Sequence, residues 1–208
     1  MERPAGASAA AAGQGSVAEV DGLLAAAEAV LEVRGYSGLR VEDVLDAAGL
    51  STRAFYRHFR GKSELFVTLF DREMVRAQQR LRAKLAAAPT PAAAVAVWID
   101  TTLALAYDGR LARRTRLFLV ERQVIAREFP AEVARCIRLM LDPLEAAIVH
   151  GRAAGEFPDA DPARDALGIH HLCTGLMTDR LLGVGALRRD DAVALARRFA
   201  LTTLQAGR

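Results

Sequence analysis

Apolar residues recur at intervals of three and four along almost the whole chain, and that spacing predicts helices. Val17, Val20, Leu23, Leu24, Ala27, Val30 and Leu31 mark one stripe of a helix from Val17 to Arg34. Gly35 can then take the left-handed conformation that ends it. Val41, Val44, Leu45 and Ala48 predict a short helix from Val41 to Ala48, with Glu42 and Asp43 in its first turn, where negative charge suits the helix dipole. Gly49 breaks it, and Ser51 is an N-cap for another short helix from Thr52 to Phe59. After Gly61 a long helix is predicted from Lys62 to Ala88, with Leu65, Phe66, Leu69, Phe70 and Met74 on one face. Beyond Pro89, helices are predicted over 91–108, 111–129 and 130–154, the last with Pro143 inside it as a kink. Gly155 to Pro162, rich in Gly, Pro and Asp, reads as a loop. Helices over 163–183 and 189–205 close the chain. β-branched residues come singly, so no strand is predicted and the fold class is all-α.

Composition narrows this further. The chain has 208 residues, 52% of them apolar, which suffices for one large or two modest helical cores. Residues 1–16 are Ala/Gly/Ser-rich without the basic start and apolar run of a secretory signal, and read as a flexible tail. The most apolar stretch, Ala92 to Ile99, stops at Asp100 and is too short to span a bilayer, so the expected place is the cytosol, with no membrane partner. Cys136 and Cys173 fall within apolar helical patterns, as core thiols of a reducing compartment do. The net charge of +3 is mild, so only its distribution is informative.

That distribution is uneven. Val41 to Lys62 reads as two short helices joined by a tight turn at Gly49, the arrangement of a helix-turn-helix whose second helix lies in the major groove. Val44, Ala48, Leu50, Phe55 and Phe59 supply its apolar core. Thr52, Arg53, Ala54, Tyr56, Arg57 and His58 are then available for the outward face. Ser51 to Lys62 holds three arginines and one lysine but no acid, a footprint suited to a phosphate backbone. Thr52 and Arg53, on the first turn, can reach base edges. Tyr56 and His58 carry donors for phosphate oxygens. Lys62, at a helix start, and Arg40, before the second helix, suit phosphate as well.

The same residues resemble the TetR/AcrR family of bacterial transcriptional regulators. Gly35-Tyr36, Val41 to Val44, AAGLS (47–51), FYRHF (55–59) and Gly61 to Phe66 follow that family's N-terminal pattern in order and spacing. The resemblance covers Val17 to Phe70. Its DNA-contact positions fall on Thr52, Arg53, Ala54, Tyr56, His58 and Lys62. It implies a homodimer on a palindromic double-stranded operator, with a small-molecule effector bound by the C-terminal part. Two positions depart from the pattern: Arg40 stands where Thr, a helix cap, is usual, and Leu45 where Ala is usual. The expected organisation is a tail over 1–16, a three-helix DNA-binding domain over 17–66, and a helical ligand-binding and dimerisation domain over 67–208.

Within that last domain the 91–108 helix is apolar nearly all round, as befits the centre of a bundle. Trp98, Thr102, Leu105, Phe118, Met140, His170, Cys173 and Met177 combine apolar walls with a few polar groups and are the candidate ligand residues, although core packing alone explains each one. His170 and His171 point about 100° apart on a helix, and His170 with Cys173 makes only two ligands, so no metal and no cofactor is expected. The two closing helices are apolar on more than one side, which suits a four-helix interface between two copies. No catalytic motif is recognisable, and an enzyme is not expected. The remaining alternative is a helical adaptor or small-molecule binder without DNA binding. The expected mechanism is ligand-driven movement of the helix that begins at Lys62, which takes the DNA-reading helices out of register with successive major grooves.

Overall fold

The computed structural model of the chain describes residues 6–184 and 187–206; side chains are described from Ser16 onward, except at 110, 117, 118 and 120–124. Among the described residues there are nine helices and no strand: α1 (Gly6–Arg34), α2 (Val41–Ala48), α3 (Thr52–His58), α4 (Lys62–Ala86), α5 (Pro91–Tyr107), α6 (Gly109–Glu128), α7 (Pro130–Ala153), α8 (Pro162–Leu182) and α9 (Arg189–Gln205). The predicted order is kept and most ends agree within two residues. The exception is α1, which starts at Gly6, within the segment read as a tail. Alanine, the best helix former, carries the helix back through a stretch that has no apolar stripe to announce it. Pro143 lies inside a continuous α7.

The chain divides into two compact units, Met1–Arg72 and Glu73–Arg208. The boundary falls inside α4, slightly beyond the residue 66 that the sequence suggests.

In the first unit α1 packs on α2 and α3. Leu23, Leu24, Ala26, Ala27 and Leu31 of α1 meet Val44 of α2 and Phe55 of α3 in a buried core. Tyr36 stands edge-on to Phe66 with ring centroids 4.7 Å apart. Leu65, Val67 and Leu69 complete the core from the first turns of α4.

The second unit is built around α5, which touches α6, α7, α8 and α9. Val95, Trp98, Ile99 and Leu103 are fully buried, as expected of a helix that is apolar all round. Its one charge before the C-cap, Asp100, is matched by a two-pronged pair with Arg197 of α9, Nε donating to Oδ1 at 2.9 Å and Nη2 to Oδ2. Such a fork of two parallel bonds fixes geometry as well as charge.

The loop between α7 and α8 is anchored at both ends. The carbonyl of Gly151 accepts from the amides of Glu156 and Phe157 at 2.9 and 3.2 Å. The Glu156 carboxylate accepts from the Ala92 amide, one of the free donors at the start of α5. Phe157 is fully buried with its ring against the Cα of Gly151, where an added Cβ would lie 2.1 Å from a ring carbon. Gly151→Ala therefore overpacks the core, and we expect it to cost about 1–3 kcal/mol, read as a lower Tm and an earlier urea midpoint.

Candidate nucleic-acid interface

The geometry of α2 and α3 follows from a few local rules. Arg40 is the N-cap of α2 in extended conformation, and its side chain makes no cap hydrogen bond. Arginine has donors only, and the amides to be capped are donors too. Gly49 ends α2 with φ +64°, and the Leu50 amide returns to the Leu45 carbonyl at 3.1 Å. That left-handed residue costs a glycine nothing and turns the chain sharply. Ser51 then caps α3, its Oγ accepting from the Ala54 amide at 3.2 Å, as its place in the sequence suggests.

Helical spacing divides α3 into two faces. Ala54, Phe55, His58 and the following Phe59 turn inward. Thr52, Arg53, Tyr56 and Arg57 turn to solvent, with Tyr56 59% exposed. This corrects two of the outward assignments. Ala54 is only 4% exposed and belongs to the core. The His58 side chain is 9% exposed, and its Nε2 lies 2.8 Å from Oε2 of Glu19 on α1. Residues 54 and 58 are one turn apart, so burying one carries the other inward with it.

The outer face carries two arginines and no acid. Among the described residues Arg40 and Arg53 are exposed and in no ion pair, whereas Arg57 reaches back to Glu19, Nη1 to Oε2 at 3.3 Å. Lys62 is half-buried, with Nζ 5.0 Å from the centre of the Tyr36 ring. The Tyr36 hydroxyl lies 3.2 Å from Ser63 Oγ, so the start of α4 is tied to the end of α1 by a cation–π contact and a hydroxyl pair. Glu64 reaches back to accept from the Arg60 amide at 2.7 Å. Glu19 and Tyr36 are the residues that sequence reasoning passed over. Tyr36 was visible only as part of a motif, and Glu19 as one polar position on a long helix.

Five of the candidate ligand residues of the second unit belong to or line its hydrophobic core. Trp98, Cys173 and Met177 are in the buried core, with Leu105 and Met140 packed against it. Trp98 Nε1 donates to the Met140 carbonyl at 2.9 Å, and its ring meets the edge of His170 at 6.2 Å. Burial pushes the Cys173 thiol up to about 12, so it stays protonated at neutral pH and packs as a small apolar group. Thr102 is buried, and its Oγ1 has no hydrogen-bond partner among the described residues. The Phe118 side chain lies outside the described residues. A separate groove of about 340 Å³, lined by Arg138, Asp142, Val149 and His150 of α7, contains none of these residues. Among the described residues no group of three or more His, Cys, Asp or Glu is placed to hold a metal ion, and no helix is long and apolar enough to cross a membrane.

Residues 23–69 match the family described as bacterial regulatory proteins, tetR family. The HTH-type transcriptional regulator CymR of Pseudomonas putida is 44% identical over 64 residues, which are 31% of this chain and 32% of that protein. The chain thus aligns with about a third of the length of that curated relative. Two solved structures are similar over nearly the whole chain. FadR from Bacillus subtilis, in complex with stearoyl-CoA, has TM-score 0.66 at 21% identity, covering 90% of this chain and 98% of that one. SmeT, the repressor of the Stenotrophomonas maltophilia multidrug efflux pump SmeDEF, has TM-score 0.67 at 24% identity, covering 88% and 89%. At that identity they establish the fold.

A seven-residue helix depends on its cap. Ser51→Ala is expected to remove about 1 kcal/mol of stability, measurable by urea unfolding, while Ser51→Asp restores most of it.

Proposed function

The N-terminal domain of this chain belongs to the tetR family of bacterial regulatory proteins, and from that premise we propose that the whole protein is a ligand-responsive, DNA-binding transcriptional repressor acting as a homodimer. One observation carries the DNA reading. Helix α3 is capped and wedged on its inner face, and presents Thr52, Arg53, Tyr56 and Arg57 outward with no acid among them. Such a helix suits the major groove. Arg53, on the first turn and without an ion-pair partner, is the residue for base edges, with guanine its best match. Tyr56 and Arg57 are for backbone phosphates, and Arg40 and Lys62 flank them.

Dimerisation is supported by apolar groups left exposed on the two closing helices: Leu167 and Leu182 on α8, and Phe199, 54% exposed, on α9. Two-fold DNA binding needs two copies of α3, and a helical pair from each copy forms the usual bundle interface.

Effector binding is supported by the second unit's own core. The buried Thr102 hydroxyl, one helical turn from the core residue Trp98, has no hydrogen-bond partner among the described residues. A bound molecule with an apolar body and one polar atom directed at Thr102 would satisfy it. That the structurally similar Bacillus FadR holds stearoyl-CoA fits an apolar or amphipathic ligand. Binding of effector and binding of operator would then oppose each other, each weakening the other by the same factor.

Duplex DNA spanning the gene's own upstream region is expected to bind at the nanomolar level with steep weakening by salt, read by a mobility shift. Arg53→Ala should lower affinity and relax base preference, while Tyr56→Ala should weaken all sequences alike. Unchanged binding by both variants would remove α3 from the interface. For the effector, Thr102→Val replaces the orphan hydroxyl by a methyl group. It should leave Tm unchanged or higher and raise the effector concentration needed for operator release by roughly tenfold, the loss of one hydrogen bond.

A further inference from the structure

Glu19 has no place in the function proposed above, yet it touches the helix on which that function depends. It lies on α1, and one oxygen of its carboxylate, Oε2, accepts from Arg57 at 3.3 Å and pairs with His58 at 2.8 Å. These partners differ in freedom. The His58 side chain is 9% exposed and packed on the inner face of α3, so it fixes the carboxylate in place. The Arg57 side chain is 55% exposed and lies on the outer face, one turn from Arg53. It is long enough to swing between a carboxylate behind it and a phosphate in front.

We infer that Glu19 is an intramolecular competitor for a DNA phosphate: in the DNA-free chain its carboxylate occupies Arg57, which must be released before that arginine can contact the backbone. The inference rests on the DNA-binding reading. A carboxylate and a phosphate offer a guanidinium the same kind of acceptor. Moving from one to the other exchanges one charge-assisted bond for another, so Arg57 contributes less to backbone affinity than an arginine without such a partner. The hydrogen bond from His58, and then the charges of Arg57 and His58, hold the Glu19 carboxyl below its ordinary range, so it is ionised wherever DNA is bound. The contact thus lowers the sequence-independent part of the affinity, which depends on phosphates and salt, without touching Arg53 and the reading of bases.

The test uses the full chain and a random-sequence duplex of about 25 base pairs, with binding followed by fluorescence anisotropy over a salt series. Glu19→Gln keeps an acceptor for His58 and removes the charge. It should bind roughly three- to tenfold tighter than the unaltered chain at low salt, because Arg57 reaches its phosphate without first leaving a carboxylate. In an Arg57→Ala background the same change should lose most of its effect, since the gain runs through Arg57. Glu19→Asp keeps the charge but withdraws it by one methylene, and should gain less; it also provides the readout should Glu19→Gln unfold. If the unaltered chain binds and neither Glu19 variant binds tighter, or if the gain is as large without Arg57, the inference is overturned while the DNA reading stands. If the unaltered chain binds no duplex at low salt, the DNA reading itself falls.

Discussion

Phe55 is fully buried, and the direction in which α3 faces follows from that burial. A helix of two turns has almost no stability of its own. It forms here because Ser51 satisfies one of its free amides, that of Ala54, and because Phe55, with Ala54 and Phe59, has a core to enter. The inner face is thereby committed, and the rotation of the helix about its axis is no longer free. Which residues meet solvent is the complement of that choice. The chemistry of the outer face depends less on any single polar contact than on one aromatic ring having only one place to go.

Much of this was legible in the residues. Glycine and proline punctuate the chain at nearly every helix end, and Ser51 announces α3 one residue before it starts. The bounds of α2 and α9 are those that periodicity predicts. The central place of α5 was legible from a helix with one charge in the midst of alanine, valine, leucine and isoleucine. What stayed hidden was of two kinds. Ala54 gives no polarity signal, and seven residues are too few for periodicity to assign a small side chain to a face. His58 looks like an outward donor until its partner is known, and that partner is 39 residues away in the chain. Likewise the Glu156 carboxylate that caps α5 comes from 64 residues beyond the amide it serves. Local pattern cannot report a contact whose other half lies on another helix.

Surface and enclosed polar groups play different parts. In the first unit, charged pairs join helices at the surface: Arg34 to Asp43, Arg72 to Asp21, and Arg57 with His58 to Glu19. Apart from His58, whose side chain is enclosed, the partners are exposed enough that each pair contributes little and depends on salt. They bias orientation more than they hold the fold. The second unit has such surface pairs too, Arg138 with Asp142 and Glu145 among them, but two of its enclosed polar groups carry more consequence. The Trp98 indole is satisfied by a backbone carbonyl, which fixes its rotamer. The Thr102 hydroxyl has no partner among the described residues, and a buried polar atom in that condition lowers stability until something meets it.

The pairing of Asp100 with Arg197 has a mechanical side. Because the guanidinium grips both carboxylate oxygens, sliding or rolling of α9 along α5 breaks a two-pronged contact at their seam. The two helices therefore share one coordinate of motion. A displacement of the middle of α5 pulls on that pair and so acts on α9 as well. A strut of this kind lets a change at the centre of the bundle be felt on its rim, where Phe199 meets the surroundings.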